Sequence, residues 1–459
     1  MSSNAALDIA TPDGGSDFDV SRARRHLLHF FLIALVLSSA LDLGVRHATL
    51  LWNLAEYPSV LHDVRTWATS WVHGLPSADS WDPMRAALEW SQQHPGGRLY
   101  EQLFFFDRIK FQYPPSSLLP LYLLSLVSST PTNEVLNQAN CWFVAANALT
   151  TGAFAFGLAR RLPSYATQRW QFAIVSAVGA LLFYPLLKAF QLGQVQVWIN
   201  ALFALSALAW LANRKQLAGV LIGLICLLKP QFAMFMIWGL LRREWRFLAG
   251  WSAILTLGLV ASLAVFGVQN YLDYFSVLRA LSRTGEVYLP NQSFNGLLNR
   301  LLVADDPTVW QAHGFPPFNP VVYAGTLLTS VILIGAALLL PLRRAGASRL
   351  LDFLGAALTF TIASPIAWEH HYGVLPVIYL ATMFALLKAD VSWRRSLGLL
   401  TLVASFLITG HWLGGSWMLL GALALLALIY WVNRSPPGAA MTESDDFERV
   451  TRPGQVAKD

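Results

Sequence analysis

The chain has 459 residues, 55% of them hydrophobic and 13% charged, with a mean hydropathy of +0.48; soluble domains carry about 25% charged residues, so a water-soluble globule is excluded. The formal net charge of +6 is gathered in short Arg/Lys clusters between apolar runs, which read as topology signals and exclude a nucleic-acid surface. Cys141 and Cys226 sit apart inside apolar segments and read as neither a disulfide pair nor metal ligands.

The expected fold class is all-α, a polytopic membrane protein with about 12 or 13 transmembrane helices, because a helix satisfies its own backbone hydrogen bonds in lipid. One membrane domain is expected over residues 26–433, flanked by disordered cytoplasmic tails at 1–25 and 434–459. The first tail is rich in Ser, Gly and Asp and lacks the apolar core and cleavage site of a signal peptide. Arg22, Arg24 and Arg25 precede the apolar run Leu27–Leu43 and hold its start on the cytoplasmic side. Residues 46–115 then form a long first outer loop. Within it Val60–Val72 and Pro83–Trp90 are predicted helices lying on the membrane, with Trp67, Trp71, Trp81 and Trp90 as anchors. Phe104-Phe105-Phe106 is apolar enough to dip into lipid.

The later apolar runs are Leu118–Ser128, Cys141–Leu158, Phe172–Leu187, Val195–Leu211, Leu217–Leu228, Phe232–Leu241, Leu248–Phe266, Val321–Leu340, Leu350–Ile362, Tyr372–Leu387, Leu397–Ile408 and Trp417–Val432. Leu118–Ser128 is a surplus crossing and is expected to be re-entrant or interfacial. With the basic clusters at Arg160-Arg161, Arg214-Lys215, Arg242-Arg243, Arg343-Arg344, Lys388 with Arg394-Arg395, and Arg434 inside, the outward turns are Lys188–Gln194, Lys229–Gln231, Val268–Pro320, Ser364–His371 and Gly410–Gly415. No internal repeat of the kind that builds two-halved transporters is visible.

Those outward turns concentrate the polar residues that packing does not explain. Asp63, at the edge of a low-dielectric region, is a candidate general base, since desolvation raises a carboxyl toward the range useful for taking a hydroxyl proton; a solvated aspartate at a helix start is the plainer alternative. Lys229 stands beside Pro230 where a helix breaks, placed for a lipid phosphate or simply snorkelling to the interface. His370 and His371, after Trp368-Glu369, suit a phosphate oxygen and its developing charge. Interfacial histidines are the alternative, and no HExxH spacing supports zinc. Asn291, Gln292, Ser293 and Asn295, with Arg300 further along the same helix, suit sugar hydroxyls or a helix cap. Gln191 and Gln194 are a turn or a carbohydrate contact, and Tyr113 completes the polar bowl.

Asp63, Phe111-Gln112-Tyr113-Pro114-Pro115, Gly193-Gln194, Lys229-Pro230, Asn291-Gln292-Ser293 and Ser364-Pro365-Ile366-Ala367-Trp368-Glu369-His370-His371 occur in an order that resembles glycosyltransferase family 87, the GT-C type polyprenyl-phosphate-mannose-dependent mannosyltransferases. The resemblance implies a GT-C helical bundle in a bacterial cell membrane whose first outer loop carries the acid. It further implies a polyprenyl-phosphate sugar donor, a glycolipid or glycan acceptor, and inverting displacement at the anomeric carbon on the extracytoplasmic face. Asp63 would take the acceptor proton, Lys229 and a histidine would hold the departing phosphate, and the lipid bilayer would be the only other partner. Many GT-C enzymes pair two acids in this loop. Here Asp63 is followed by Val64-Arg65, with Asp79 and Asp82 some way on, so no metal or other cofactor is expected and cations take that place. The rival readings are a transporter or flippase of a lipid-linked sugar, with Lys229, His370 and Asp63 as its polar path, and a ligase or polymerase using a diphosphate-linked donor, which would want more cations.

Overall fold

The computed structural model describes residues 60–434 except 128, 304–305, 341–347, 388–391 and 412, together with residues 33, 36–44 and 47. The expected tails at 1–25 and beyond Arg434, the start of the first outer loop, and Arg343, Arg344 and Lys388 lie outside the described residues.

The two loop helices form as α1, Val60–His73, and α2, Trp81–Gln93. The second is longer at both ends than predicted. A π-helical turn, Glu101–Phe106, buries Phe104 and leaves Phe105 and Phe106 exposed. The surplus run becomes a 3-10 turn, Pro115–Leu118, and α3, Leu119–Ser125. At 1.5 Å per residue a helix this short reaches roughly 10 Å, a third of the hydrocarbon core, so it does not cross.

Helices α4, Asn133–Arg160, α5, Arg169–Leu181, and α6, Tyr184–Gln191, come next. The run Phe172–Leu187 was expected to be continuous, but the Tyr165–Leu181 segment and α6 meet at 48°. Pro185 in the first turn of α6 starts a new helix and cannot continue the old one. The outward turn expected from Lys188 is therefore helical as far as Gln191.

Beyond it run α7, Gln196–Leu211, α8, Lys215–Leu228, α9, Phe235–Arg242, and α10, Trp245–Phe266. The long turn expected over Val268–Pro320 contains α11, Val268–Thr284, and α12, Phe294–Leu302. Then follow α13, Pro320–Leu339, α14, Ser348–Ile362, a 3-10 turn, Glu369–Val374, leading into α15, Leu375–Leu387, then α16, Ser392–Thr409, and α17, Trp417–Arg434.

The protein is an all-α polytopic membrane protein. Among the described residues, Asn133–Arg160, Trp245–Phe266, Pro320–Leu339 and Glu369–Leu387 are long and apolar enough to cross a bilayer, and the bent pair makes a fifth candidate. Gln196–Leu211, Lys215–Leu228 and Trp417–Asn433 are shorter apolar helices, and the expected count of about 12 or 13 crossings includes helices of this kind. α15 is buried almost throughout, whereas α13 exposes Val321, Leu327, Leu328, Val331 and Ile332. The first is the centre of the bundle and the second its lipid-facing edge.

Lipid offers no hydrophobic drive between helices, so close backbone packing and polar ties hold the bundle. A Cβ on Gly219 would lie 2.0 Å from the Phe247 carbonyl oxygen, and one on Gly250 would lie 2.1 Å from that of Gln216, so α8 and α10 meet backbone to backbone. Arg242 bonds the Asp352 carboxylate at 2.7 Å and the carbonyls of Ala337 and Leu338 at 2.9 and 2.7 Å, tying α9 to α13 and α14. The chain also closes on itself: His411 Nε2 lies 2.8 Å from the Ser38 carbonyl and 3.1 Å from its hydroxyl, 373 positions away. Close by in sequence, Asp42 Oδ1 accepts the Val60 N–H at 3.0 Å, fixing the start of α1.

Replacing Gly219 or Gly250 by Leu should force α8 and α10 apart and cost more than about 2 kcal/mol. Thermal unfolding of the purified variants in one detergent checks this, and an unchanged melting temperature would show that the backbones do not meet there.

Candidate active site

Asp63 sits in the first turn of α1, where a helix end favours an anion, but its side chain points inward and is 0% exposed. Its Oδ1 accepts the Gln191 side-chain amide from α6, and its Oδ2 is buried with no protein hydrogen-bond partner. Burial pushes the carboxyl up to about 7. The Lys188 ammonium and the Gln191 bond oppose the rise, while Asp42 and Glu369 add to it. An acid held near neutrality, with one oxygen free, is a competent proton acceptor.

A second group forms where the loop before α2 meets the turn after α6. The Asp79 N–H donates to the Leu192 carbonyl at 2.9 Å and the Ser80 N–H to that of Gly193 at 3.3 Å. Gly193 has φ +64°, and a Cβ there would stand 2.2 Å from the Ser77 carbonyl oxygen; only glycine meets both demands. The Ser80 hydroxyl donates to Gln194 Oε1 at 2.6 Å, the Tyr113 hydroxyl donates to the same oxygen at 3.2 Å, and the Gln194 amide donates to Asp79. Gln194 and Tyr113 are thus engaged in positioning Asp79, which is exposed at the rim.

Lys229 follows the last turn of α8 in an extended conformation (φ −145°, ψ 125°), the backbone that a following proline demands. Its Nζ lies 3.1 Å from Gln196 Oε1, 2.7 Å from His371 Nε2 and 5.6 Å from the Tyr113 ring centre. Burial pushes the ammonium down to about 7 against the field of Asp79. When Lys229 donates to His371 Nε2, the imidazole carries its proton on Nδ1. That Nδ1, His370 Nε2 and Glu369 Oε2 are all buried without a protein partner. The two imidazole rings stand 4.9 Å apart. Buried polar atoms are rarely left unmatched, so such a group of them marks a place for a ligand.

Lys188 joins the two halves. Its ammonium acts on Asp63, Asp79, Glu369 and His370 alike, and Tyr184, one helical turn earlier on α6, is beside Glu369. Sequence reasoning placed Lys188 only at the boundary of a turn. Its signal was there: a lysine inside an apolar run is costly and calls for partners.

Asn291, Gln292, Ser293 and Asn295 lie in the turn before α12 and in its first turn. Asn291 donates to the Glu286 carbonyl at 2.8 Å and accepts the Ala367 N–H at 3.1 Å, beside a lone antiparallel bridge between Asn291 and Trp368. Gln292 donates to the carbonyls of Leu289 and Gly415, and Ser293 donates to the Pro365 carbonyl while capping α12 at Gly296 N, 3.1 Å. Asn295 accepts the Glu286 N–H at 3.1 Å and donates to Thr326. The Arg300 guanidinium, predicted on the same helix, donates to the Asn291 carbonyl at 3.0 Å. These side chains fasten the turn before α12 to the segment that presents Glu369, His370 and His371. No cluster of three or more His, Cys, Asp or Glu suited to a metal occurs among the described residues.

The arrangement therefore brings a poised carboxyl, two lysines and two imidazoles together where the ends of α1, α6, α8 and α15 meet. A proton acceptor beside anion-binding groups is what group transfer from a phosphate leaving group requires. Comparison with known proteins bears on which transfer. The chain is 26% identical over 313 residues, 66% of its length and 69% of the relative's, to a polyprenol-phosphate-mannose-dependent alpha-(1-2)-phosphatidylinositol pentamannoside mannosyltransferase of Mycolicibacterium smegmatis. It is 25% identical over 323 residues, 68% of its length and 69% of the relative's, to a polyprenol-phosphate-mannose-dependent alpha-(1-2)-phosphatidylinositol mannoside mannosyltransferase of Mycobacterium tuberculosis. No solved structure matches it. The model of glycosyltransferase family 87 matches residues 111–365, a stretch that includes Tyr113, Lys188, Gln194, Lys229 and Asn291 and stops short of His370. That match spans more than half of the chain, and the protein is a membrane glycosyltransferase belonging to glycosyltransferase family 87.

Proposed function

We propose that this protein is an inverting mannosyltransferase that moves mannose from a polyprenyl phosphate to a glycolipid or glycan on the extracytoplasmic face of a bacterial cell membrane. The observation that carries the reading is the part-buried Lys229–His371 contact, whose imidazole leaves a donor without a partner, in the same cluster as the free oxygen of Asp63. The named relatives, which depend on polyprenol-phosphate-mannose and act on phosphatidylinositol mannosides, support the choice of donor and of a glycolipid acceptor.

In this reading the acceptor hydroxyl oxygen attacks the anomeric carbon as the bond from that carbon to the phosphate oxygen breaks. The hydroxyl proton passes to Asp63 Oδ2, and the bonding electrons leave with the lipid phosphate. Lys229, the His371 Nδ1–H and His370 stabilise that anion, in place of the metal that a diphosphate leaving group would favour. Lys188 keeps Asp63 ionisable in a site that would otherwise hold it protonated. Tyr113 and Gln194 frame the sugar site through Asp79, while Asn291, Gln292, Ser293 and Asn295 hold the histidine segment in register. The transporter reading has no observation in its favour once the chain is placed in a family of enzymes.

Asp63→Asn should lower transfer by on the order of a hundredfold or more. The raised carboxyl makes its ionised form a burden on the fold: below the unfolded value near 3.8 the cost is absent, and it is fully present above about 7, where it reaches about 4 kcal/mol. Asp63→Asn should therefore melt higher than the parent at pH 8, with the gap closing as pH falls through 7. An inactive variant less stable at pH 8 would mark Asp63 as structural.

The donor kcat/KM should be bell-shaped about pH 7. The acid limb rises as Asp63 loses its proton, and the alkaline limb falls as Lys229 loses its own. Bound phosphate holds the lysine proton, so in kcat the alkaline limb moves to higher pH. A profile flat from about pH 6 to 8 would remove both groups from the reaction.

For sidedness, Val309 is 55% exposed in the turn after α12. A Val309→Cys variant should react with an impermeant thiol reagent added to intact cells, and labelling only after lysis would invert the topology.

A further inference from the structure

Beside the cluster lies an aromatic surface that the proposed chemistry does not use. Trp368, next in sequence to Glu369, packs edge to face with Trp310, their ring centres 5.6 Å apart, and Tyr288 lies 5.5 Å from Trp310 and 6.4 Å from Trp368. Trp310 is 39% exposed on the turn after α12, while Tyr288 and Trp368 are part-buried. The other side of this wall is fixed. Lys110 Nζ sits 3.8 Å from the Trp310 ring centre and 4.4 Å from that of Phe315, and it is paired with the buried Glu286 carboxylate at 3.0 Å. A cation on an aromatic face is attracted by the ring's negative π face, so the indole is held in place while part of it remains open.

The wall is continuous with the site. Trp368 is joined to Asn291 by the backbone bridge, and its carbonyl accepts the His371 N–H at 2.8 Å. The Tyr288 phenol is raised by burial and then by the fields of Glu369 and Asp79; Lys110 is lowered by burial, with Glu286 and then Asp79 opposing. Both flanks of the wall thus lie within electrostatic reach of the cluster. A rigid, partly open aromatic surface bordered by carboxylates fits a pyranose, whose C–H face is apolar and whose rim of hydroxyls seeks acceptors. A free acyl chain would find those buried charges unfavourable.

We propose that Trp310, Trp368 and Tyr288 form a stacking wall that receives the terminal sugar of the acceptor, with the Lys110–Glu286 pair holding Trp310 in place. The inference rests on the mannosyltransferase reading and adds to it the subsite that selects the acceptor. The wall orients the sugar so that one hydroxyl faces Asp63, while the donor phosphate lies on the Lys229 side.

The test separates the wall from the chemistry by measuring binding in protein carrying Asp63→Asn and reconstituted in nanodiscs. Methyl α-mannoside is titrated and followed by ligand-observed NMR, with mannose-free phosphatidylinositol as the second probe. Adding Trp310→Ala should weaken mannoside binding about tenfold, Trp310→Phe should restore most of it, and neither should change phosphatidylinositol binding. Mannoside affinity unchanged by Trp310→Ala overturns the proposal, and so does an equal loss for both probes, which would make the wall a lipid contact. If Asp63→Asn alone still transfers sugar, the assignment of the base fails, while a selective loss of mannoside binding on removing Trp310 still upholds the wall.

Discussion

Everything in the site turns on a lysine taken partly out of water at a broken helix. Lys229 has no carboxylate among its hydrogen-bond partners; it has the Gln196 amide oxygen, the His371 nitrogen and the face of Tyr113. Such an arrangement leaves the positive charge under-compensated, which is the condition under which an anionic ligand would gain most from binding. The break that creates this position is covalent in origin: Pro230 ends α8 with the chain extended, and the side chain is delivered into the cluster and not along the helix surface.

The same logic of incomplete pairing runs through the rest of the cluster. Asp63 has one oxygen bonded and one free, His371 one nitrogen bonded and one free, and Glu369 keeps an unmatched oxygen. The turns around the cluster supply the rigidity that this tension requires. Gly193 lets two backbones touch behind Asp79, and the Asn291 amide ties the Glu286 carbonyl to the Ala367 N–H beside the bridge to Trp368. Strongly engaged amides surround weakly engaged ionisable groups, which is how a preorganised site resists collapsing on its own charges.

Much of this was readable from the chain. The two loop helices followed from the sequence, although Trp81, expected as a membrane anchor, is fully buried and bonds Asn137, and α3 is too short to cross. The family could be recognised because its residues recur in order along the outward turns. What the sequence hid was tertiary. The bend between α5 and α6 lay inside one apolar run, with Pro185 as its only mark, and Lys188 was hidden with it. The polar side chains at 291–295 read as sugar contacts or a helix cap because polar residues on a turn have few local partners. The sequence did not show that Asn291 and Ser293 also bond backbone groups of a segment far along the chain, at Ala367 and Pro365. Ser80 carried no signal at all, since its role depends on Gly193 lying against Ser77.

The link between Ser38 and His411 has a reach beyond the turn where it occurs. The first apolar run, seated against the loop that precedes α17, carries Asp42 a few residues later, and Asp42 fixes the N–H with which α1 begins. The start of the helix that carries Asp63 is thereby coupled to a turn hundreds of positions later, so a change at His411 reaches α1 without touching it.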